Sequence, residues 1–323
     1  MIESPQSSVA PTAVALIPND TVGERMAGPG IRYWEFARVL GQRFRVKLIV
    51  PPFVPMDAVP DASDLQASLH VCAHARELRA HVEDCDVLVT RGVVLTAYPF
   101  LAEMGIPLVL DMYNPFLLEG LQRETRADPL RQQSSYESDL DMLRMQLRVG
   151  DFFICAHERQ RDYWLGALSA MGRVNPHTHR QDPGLRDLLD VVPFGLPDQP
   201  PQHTRRVLKG VHKTIRAGDK VILWGGGIWN WLDTETLIRA MHLVCDRRDD
   251  VKLFFMGVRR PNALVQKMEA VDRAIALSKE LGLYERSVFF NDWVPYGERQ
   301  NHLLEADVGV SLHLDHVETR FAF

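Results

Sequence analysis

The chain has 323 residues, 46% hydrophobic and 24% charged, with a formal net charge of -5. This is ordinary globular composition at a length of about two domains. The acidic balance excludes a basic footprint for nucleic acid, and the pairs Arg205–Arg206 and Arg259–Arg260 read as solvated surface. Cys72, Cys85, Cys155 and Cys245 are far apart and form no CxxC pair, as expected of reduced thiols in a cytoplasmic protein. Residues Met1 to Pro11 lack the basic region of a signal peptide. No apolar run approaches the ~20 residues that span a bilayer, which leaves open a peripheral contact at the inner face of a membrane.

In chain order, Thr12–Pro18 reads as a buried strand and is followed by a glycine-rich loop, Gly23 to Gly30. Ile31 to Leu40 carries helical spacing on one face. Arg45–Val50, Asp86–Thr90 and Pro107–Leu110 are further apolar strands. Phe116 to Gly150 is polar and helix-prone, with Tyr136, Leu140, Leu143 and Leu147 on one stripe. Asp151–Ala156 is a strand leading into a helix from His157, and Val191–Phe194 is the last strand of this half. Strands of continuous apolar residues alternating with helices predict a parallel sheet covered on both faces.

The proline-rich stretch Pro197 to Pro201 is the best linker, after which the pattern restarts. Lys220–Trp224 runs into Gly225-Gly226-Gly227. Thr234–Cys245, Ala263–Leu281 and Gly297–Ala306 are helical, and Val251–Met256, Ser287–Phe290 and Asp307–Leu312 are strands. The expected organisation is a first domain over 1–196, a linker over 197–204 and a second domain over 205–323. The last residues, Val317 to Phe323, carry no helix stop, so the second domain is expected to be incomplete.

The ordered set of these motifs resembles glycosyltransferase family 4, the retaining enzymes of GT-B architecture. The resemblance covers nearly the whole chain. It rests on the strand, glycine loop and helix of Ala15 to Leu40, on Asp151–Ala156, and on Val191-Val-Pro-Phe-Gly195-Leu-Pro. It continues through Ile222-Leu-Trp-Gly-Gly-Gly-Ile-Trp-Asn-Trp-Leu-Asp233, Phe254-Phe-Met-Gly257, Val288-Phe-Phe-Asn-Asp-Trp-Val-Pro295 and Glu305-Ala-Asp-Val-Gly-Val-Ser311. It implies an α/β fold of two Rossmann-like, doubly wound parallel-sheet domains facing a central cleft. It further implies a hexosyl transfer from a nucleotide-diphosphate sugar to a glycan, lipid or small-molecule acceptor, without a metal or other cofactor.

Carried over residue by residue, the resemblance places the donor diphosphate at Gly226 and Gly227 in the second domain and at Gly28 and Gly30 in the first. Backbone N–H groups at a helix start suit an anion, and the helix dipole adds attraction. Trp229 and Asn230 are candidates for stacking on, and bonding to, sugar or base. Trp293 and Val294 fall where the family contacts the base. Either His316 or Glu318 corresponds to the first Glu of the family's acidic motif, whose second acid would lie beyond Phe323. Asp111 falls at the catalytic loop. Arg32, Arg91, Tyr113 and His157 are candidates for donor or acceptor contacts, Arg91 because ligands gather at strand ends in open α/β sheets. Where family members carry an Arg and a Lys toward the diphosphate, this chain has Gly227 and about Leu232. Its charge is therefore expected to be met from elsewhere or by N–H groups alone.

Several signals point away from other chemistries. Asp84-Cys-Asp86 precedes a buried strand and Asp139-Leu-Asp141 lies in a helical stretch, so neither reads as a metal-holding pair. His313, Asp315 and His316, and likewise His177 and His179, lack the further ligands of a zinc set. Gly28-Pro-Gly30 is followed by Tyr33 where a dinucleotide fingerprint needs glycine, and no Gly-x-Ser-x-Gly elbow occurs. Two rivals to a transferase remain: a non-catalytic sugar-nucleotide-binding protein of a glycan assembly pathway, and a GT-B sugar-nucleotide epimerase.

Overall fold

The computed structural model describes residues 12–56, 58, 65–123, 127–262, 265 and 267–322. The first part carries strands β1 (Ala13–Leu16), β2 (Arg45–Val50), β3 (Ser68–Val71), β4 (Val87–Thr90), β5 (Leu108–Asp111), β6 (Phe152–Cys155) and β7 (Leu189–Val191). Between them run helices α1 (Gly28–Leu40), α2 (Ala75–Val82), α3 (Gly92–Ala97), α4 (Phe116–Arg123), α5 (Pro129–Val149), α6 (Glu158–Ala170) and α7 (Pro176–Gln181). The strands form one parallel sheet in the order β3-β2-β1-β4-β5-β6-β7. The chain therefore builds outward from β1 and then returns to lay β4 on its other side.

The continuous apolar strands are explained by cover on both faces. Along β1 and the residue after it, Ala13, Ala15 and Ile17 enter one core, while Val14 and Leu16 enter the other. The first core receives Leu78 and Val82 of α2, Val94 and Leu95 of α3, Leu143 and Leu147 of α5, and Trp164 and Leu168 of α6. The second receives Tyr33, Trp34 and Ala37 of α1.

The second part repeats the device with β8 (Lys220–Trp224), β9 (Val251–Phe255), β10 (Val288–Phe290) and β11 (Val308–Gly309), in the parallel order β10-β9-β8-β11. Helices α8 (Thr234–Cys245), α9 (Glu269–Glu280) and α10 (Arg299–Glu305) connect them. Leu253 and Phe255 meet Ile238 and Met241 of α8 and Ala274 and Leu277 of α9. Phe254 faces the other way, where Leu208 and Ile215 cover the sheet.

Several elements differ from the sequence reading. Helix α1 starts at Gly28, three residues earlier than expected, because Pro29 sits in its first turn where a missing N–H costs nothing. The stretch 116–150 holds two helices; Asp128 caps the second, accepting from the amides of Leu130 and Arg131, with Pro129 next to it. The expected strand Val191–Phe194 is shifted to Leu189–Val191, since Pro193 donates no hydrogen bond to a ladder. The expected strand Asp307–Leu312 contracts to two residues. Of the expected helix Ala263–Leu281, the described part is helical from Glu269 to Glu280, and Ala263 and Leu264 lie outside the described residues. All four cysteines are free. No helix among the described residues is long and apolar enough to cross a membrane.

Candidate functional site

A cleft of about 1720 Å³ opens between the two sheets. Its walls follow the C-terminal ends of strands in both: Asn19 and Asp20 after β1, Arg91 after β4, Tyr113 and Asn114 after β5, Gly225 to Gly227 after β8, Arg260 after β9 and Trp293 after β10. That is where open parallel sheets collect ligands, beside the point at which strand order reverses. The volume exceeds the ~300–1,000 Å³ of a site for one small ligand.

On the first side the cleft floor is an ionic and aromatic cluster. Arg32 is fully buried on α1 and donates from Nε to Asp111 Oδ2 at 2.8 Å and from Nη2 to Asp111 Oδ1 at 3.1 Å. Nη2 and Nη1 also donate to the carbonyls of Val192 at 2.8 Å and Pro193 at 3.3 Å. Both carboxylate oxygens of Asp111 and all three nitrogens of the Arg32 guanidinium are thus engaged with the protein. Arg91 lies 4.3 Å from the centre of the Tyr113 ring and donates to Asn114 Oδ1. Asn114 in turn donates to Glu119 Oε2 at 2.6 Å. Burial pushes the Glu119 carboxyl up from its ordinary value and Glu318 adds to this, against the opposing pull of Asn114, Arg91 and Arg123.

On the second side, no Cβ added to Gly225 or Gly226 would meet an atom within 4 Å, so this loop's backbone faces open cleft. A Cβ on Gly227 would sit 3.6 Å from Trp229 Nε1. Trp229 stacks on Trp231 with ring centres 4.9 Å apart, and the Arg260 guanidinium covers Trp229 at 4.7 Å. Arg299, from α10, donates to the Gly225 carbonyl at 2.9 Å, and burial lowers its pKa. Two guanidinium groups therefore flank a glycine loop whose own sequence carries no cation.

The two sides also touch directly. Arg260 and Asn262 donate to the two oxygens of Asp20 at 2.5 and 2.9 Å. The Tyr296 hydroxyl donates to Glu35 at 2.8 Å, and Trp293 Nε1 to the Met26 carbonyl at 3.3 Å.

Of the residues singled out in the sequence, Gly28, Arg91, Asp111, Tyr113, Gly226, Gly227, Trp229 and Trp293 line the cleft. The others lie behind it. A Cβ at Gly30 would come within 2.0 Å of the Thr21 carbonyl oxygen, so this glycine serves a close approach of backbone. Asn230 is buried, donating to the Gln122 carbonyl at 2.9 Å and accepting from the Ala270 amide at 3.1 Å. Val294 is buried with Leu208, Ile215 and Phe254 on the far face of the second sheet. His157 caps α6, accepting from the Gln160 amide, while Nε2 lies 3.2 and 3.1 Å from the Phe321 and Ala322 carbonyls. Glu318 is 1% exposed, with His316 Nδ1 at 3.4 Å. Asp233, next to this loop, caps α8 through the Thr236 amide.

Sequence reasoning missed Asp20, Glu119 and Arg299, and its reading of Arg259–Arg260 as solvated surface is corrected for Arg260, whose side chain is 17% exposed and lies in the cleft. Arg260 had a signal: Phe255-Met-Gly-Val-Arg-Arg260 continues from a buried strand end, the same position that marked Arg91. Glu119 and Arg299 sit on helices with no local mark. Among the described residues no group of three or more His, Cys, Asp or Glu is placed to hold a metal ion.

No protein family and no curated protein matches this chain by sequence. Among solved structures it is similar to an alpha-glucosyltransferase in complex with UDP and a 13-mer DNA, with TM-score 0.52 and 11% identity over 96% of this chain and 73% of that one. It is also similar to Phytolacca americana UGT2 complexed with UDP-2fluoro-glucose and pterostilbene, at TM-score 0.45 and 15% identity over 97% and 82%. The lipopolysaccharide outer core galactosyltransferase WaaB in its apo form matches at TM-score 0.43 and 10% identity over 93% and 74%. At such identities the likeness speaks for architecture. Two parallel sheets facing one cleft, with the fold likeness to the alpha-glucosyltransferase, define a GT-B α/β fold.

Proposed function

We propose that this chain transfers a sugar from a nucleotide-diphosphate donor to an acceptor hydroxyl, with retention at the anomeric carbon. The observation that carries this reading is the open glycine backbone of Gly225 and Gly226 facing the cleft, with Arg260 and Arg299 beside it. A diphosphate brings about two negative charges, and N–H groups with flanking guanidinium groups suit it. In this reading residues 205–323 hold the donor, residues 1–196 the acceptor, and 197–204 link them. The fold's likeness to an alpha-glucosyltransferase bound to UDP agrees with such a donor, and retention rests on the resemblance to family 4. Phe53, Phe116, Met142 and Phe194 on the first side give the acceptor apolar walls.

The reaction breaks the bond from the anomeric carbon to the diphosphate oxygen and joins that carbon to the acceptor oxygen. The acceptor's proton leaves with the diphosphate. Cations placed where charge develops on the leaving diphosphate stabilise that transition state. Asp111 then acts as a positioning residue, since Arg32 occupies both of its oxygens. That same engagement, with Glu318 buried away from the cleft, favours the non-catalytic rival as the second reading. Incubation with uridine, guanosine and adenosine diphosphate sugars and a panel of acceptors, read by mass spectrometry, separates the readings. Transfer yields an acceptor heavier by one sugar. An isomerised donor without acceptor marks an epimerase, and binding with no consumption marks a carrier.

A further inference from the structure

Arg259 and Arg260 are adjacent in sequence but differently placed. The Arg259 side chain is 81% exposed, whereas that of Arg260 is 17% exposed and lies inside the cleft against Trp229. Arg260 follows β9 and the glycine loop follows β8, and these two strands are neighbours. The Trp229 indole connects them, packing on Gly227 and carrying the guanidinium over its face. The counter-charge comes from the other sheet: Asp20 is 3% exposed and accepts from Arg260 and Asn262 across the cleft.

Two polar atoms at this contact are buried with no hydrogen-bond partner among the described residues, Arg260 Nε and Asn19 Oδ1. Both residues line the cleft. A buried donor and a buried acceptor left unpaired are costly, and a ligand that brings an anion and a hydroxyl satisfies both. We infer that Arg260 is a cation this chain uses for the donor diphosphate, and that without donor Asp20 holds it as a counter-ion the diphosphate displaces. The inference rests on the transferase reading and supplies the charge that Gly227 and Leu232 do not. Asp20 keeps the guanidinium in place and links the two sheets when no donor is present. Donor binding exchanges a carboxylate partner for a phosphate and frees that link.

The test is calorimetric titration of the full chain with uridine, guanosine and adenosine diphosphates, taking the tightest forward. Arg260→Gln is expected to weaken binding about 30-fold, as for loss of one partner in a desolvated charge pair. Asp20→Asn keeps the shape and removes the competing charge, so it is expected to tighten binding several-fold. In the Arg260→Gln background Asp20→Asn is expected to have no effect, because the two act as one unit. Thermal unfolding of each variant establishes that it is folded. A wild type that binds but is unchanged by Arg260→Gln, or a folded Asp20→Asn that binds more weakly, overturns the inference and leaves the transferase reading standing. A wild type that binds none of the three diphosphates overturns both.

Discussion

Arg32 and Asp111 form the most deeply enclosed charge pair bearing on the site, with side chains 1% and 0% exposed. Such a pair adds little over apolar residues, but removing one partner strands a buried charge at a cost of about 3–5 kcal/mol. Asp111→Asn is therefore expected to lower stability by about that amount, seen as a large downward shift in thermal unfolding. An unfolding midpoint equal to wild type would show that the pair is not formed in solution. The two glycines at the start of α1 make a second contrast. Gly28→Ala meets open space and is expected to leave stability within about 0.5 kcal/mol. Gly30→Ala drives a methyl into the Thr21 carbonyl and is expected to cost about 2 kcal/mol or more. Equal melting curves for the two variants would contradict the tight approach. At this scale the sequence marks positions better than roles. Asp111, Arg32 and Gly30 stand out as residues, yet what each touches depends on chain 79 residues away for Arg32 and Asp111.

Among the elements, α10 carries the segment that covers the second sheet. Glu305, at its end, accepts from the amides of Val207, Leu208 and Lys209 at 2.8, 2.8 and 2.7 Å, and pairs with His203 at 2.8 Å. Burial pushes its carboxyl up, but His203 and the three amides outweigh this and hold it down at about 2. Asp307, bonded to Lys209 and the Val221 amide, is likewise held at about 2. A carboxylate depressed in the folded state contributes stability that is fully present above its ordinary value, 4.5 for Glu305, and is lost as pH falls through about 2. Stability is expected to decline between about pH 4.5 and 2, and Glu305→Gln to flatten that decline and lower stability at neutral pH. Denaturant titrations across this range check it; an unchanged slope in the variant would contradict it. Elements with continuous apolar runs were legible, as β2 and β8 are found at their expected bounds. Strand β3 was not: Ser68 to Val71 is a half-exposed edge strand whose mixed residues carry no buried run. Helix α3 was hidden because its six residues are too few to show a period.

For the whole molecule, the repeated α/β pattern makes the two-sheet architecture readable from the sequence, since parallel strands need helical cover on both faces. The cleft was readable only in outline. Its glycine loop announces itself, but the charges beside it come from the loop after β9 and from α10, and the carboxylate opposite from the loop after β1. Such convergence has no signature in a single stretch of chain. The links between the two parts are for the most part polar: Asp20 with Arg260 and Asn262, Glu35 with Tyr296, the Met26 carbonyl with Trp293, the Gln122 carbonyl with Asn230, and His157 and Gln160 with the carbonyls of the 321–322 segment. An interface of this kind permits the two sheets to move relative to one another as ligand enters.

The proposed transfer consumes a sugar nucleotide in this cleft, against the glycine loop and Trp229. The direct measurement is the steady-state release of nucleoside diphosphate from uridine, guanosine and adenosine diphosphate sugars, for wild type and for Trp229→Ala. Release is expected from at least one donor, raised by a suitable acceptor and reduced about tenfold or more in the folded variant, as for losing one stacking and cation-bearing ring. No release from any donor, or release that Trp229→Ala leaves unchanged, would contradict it.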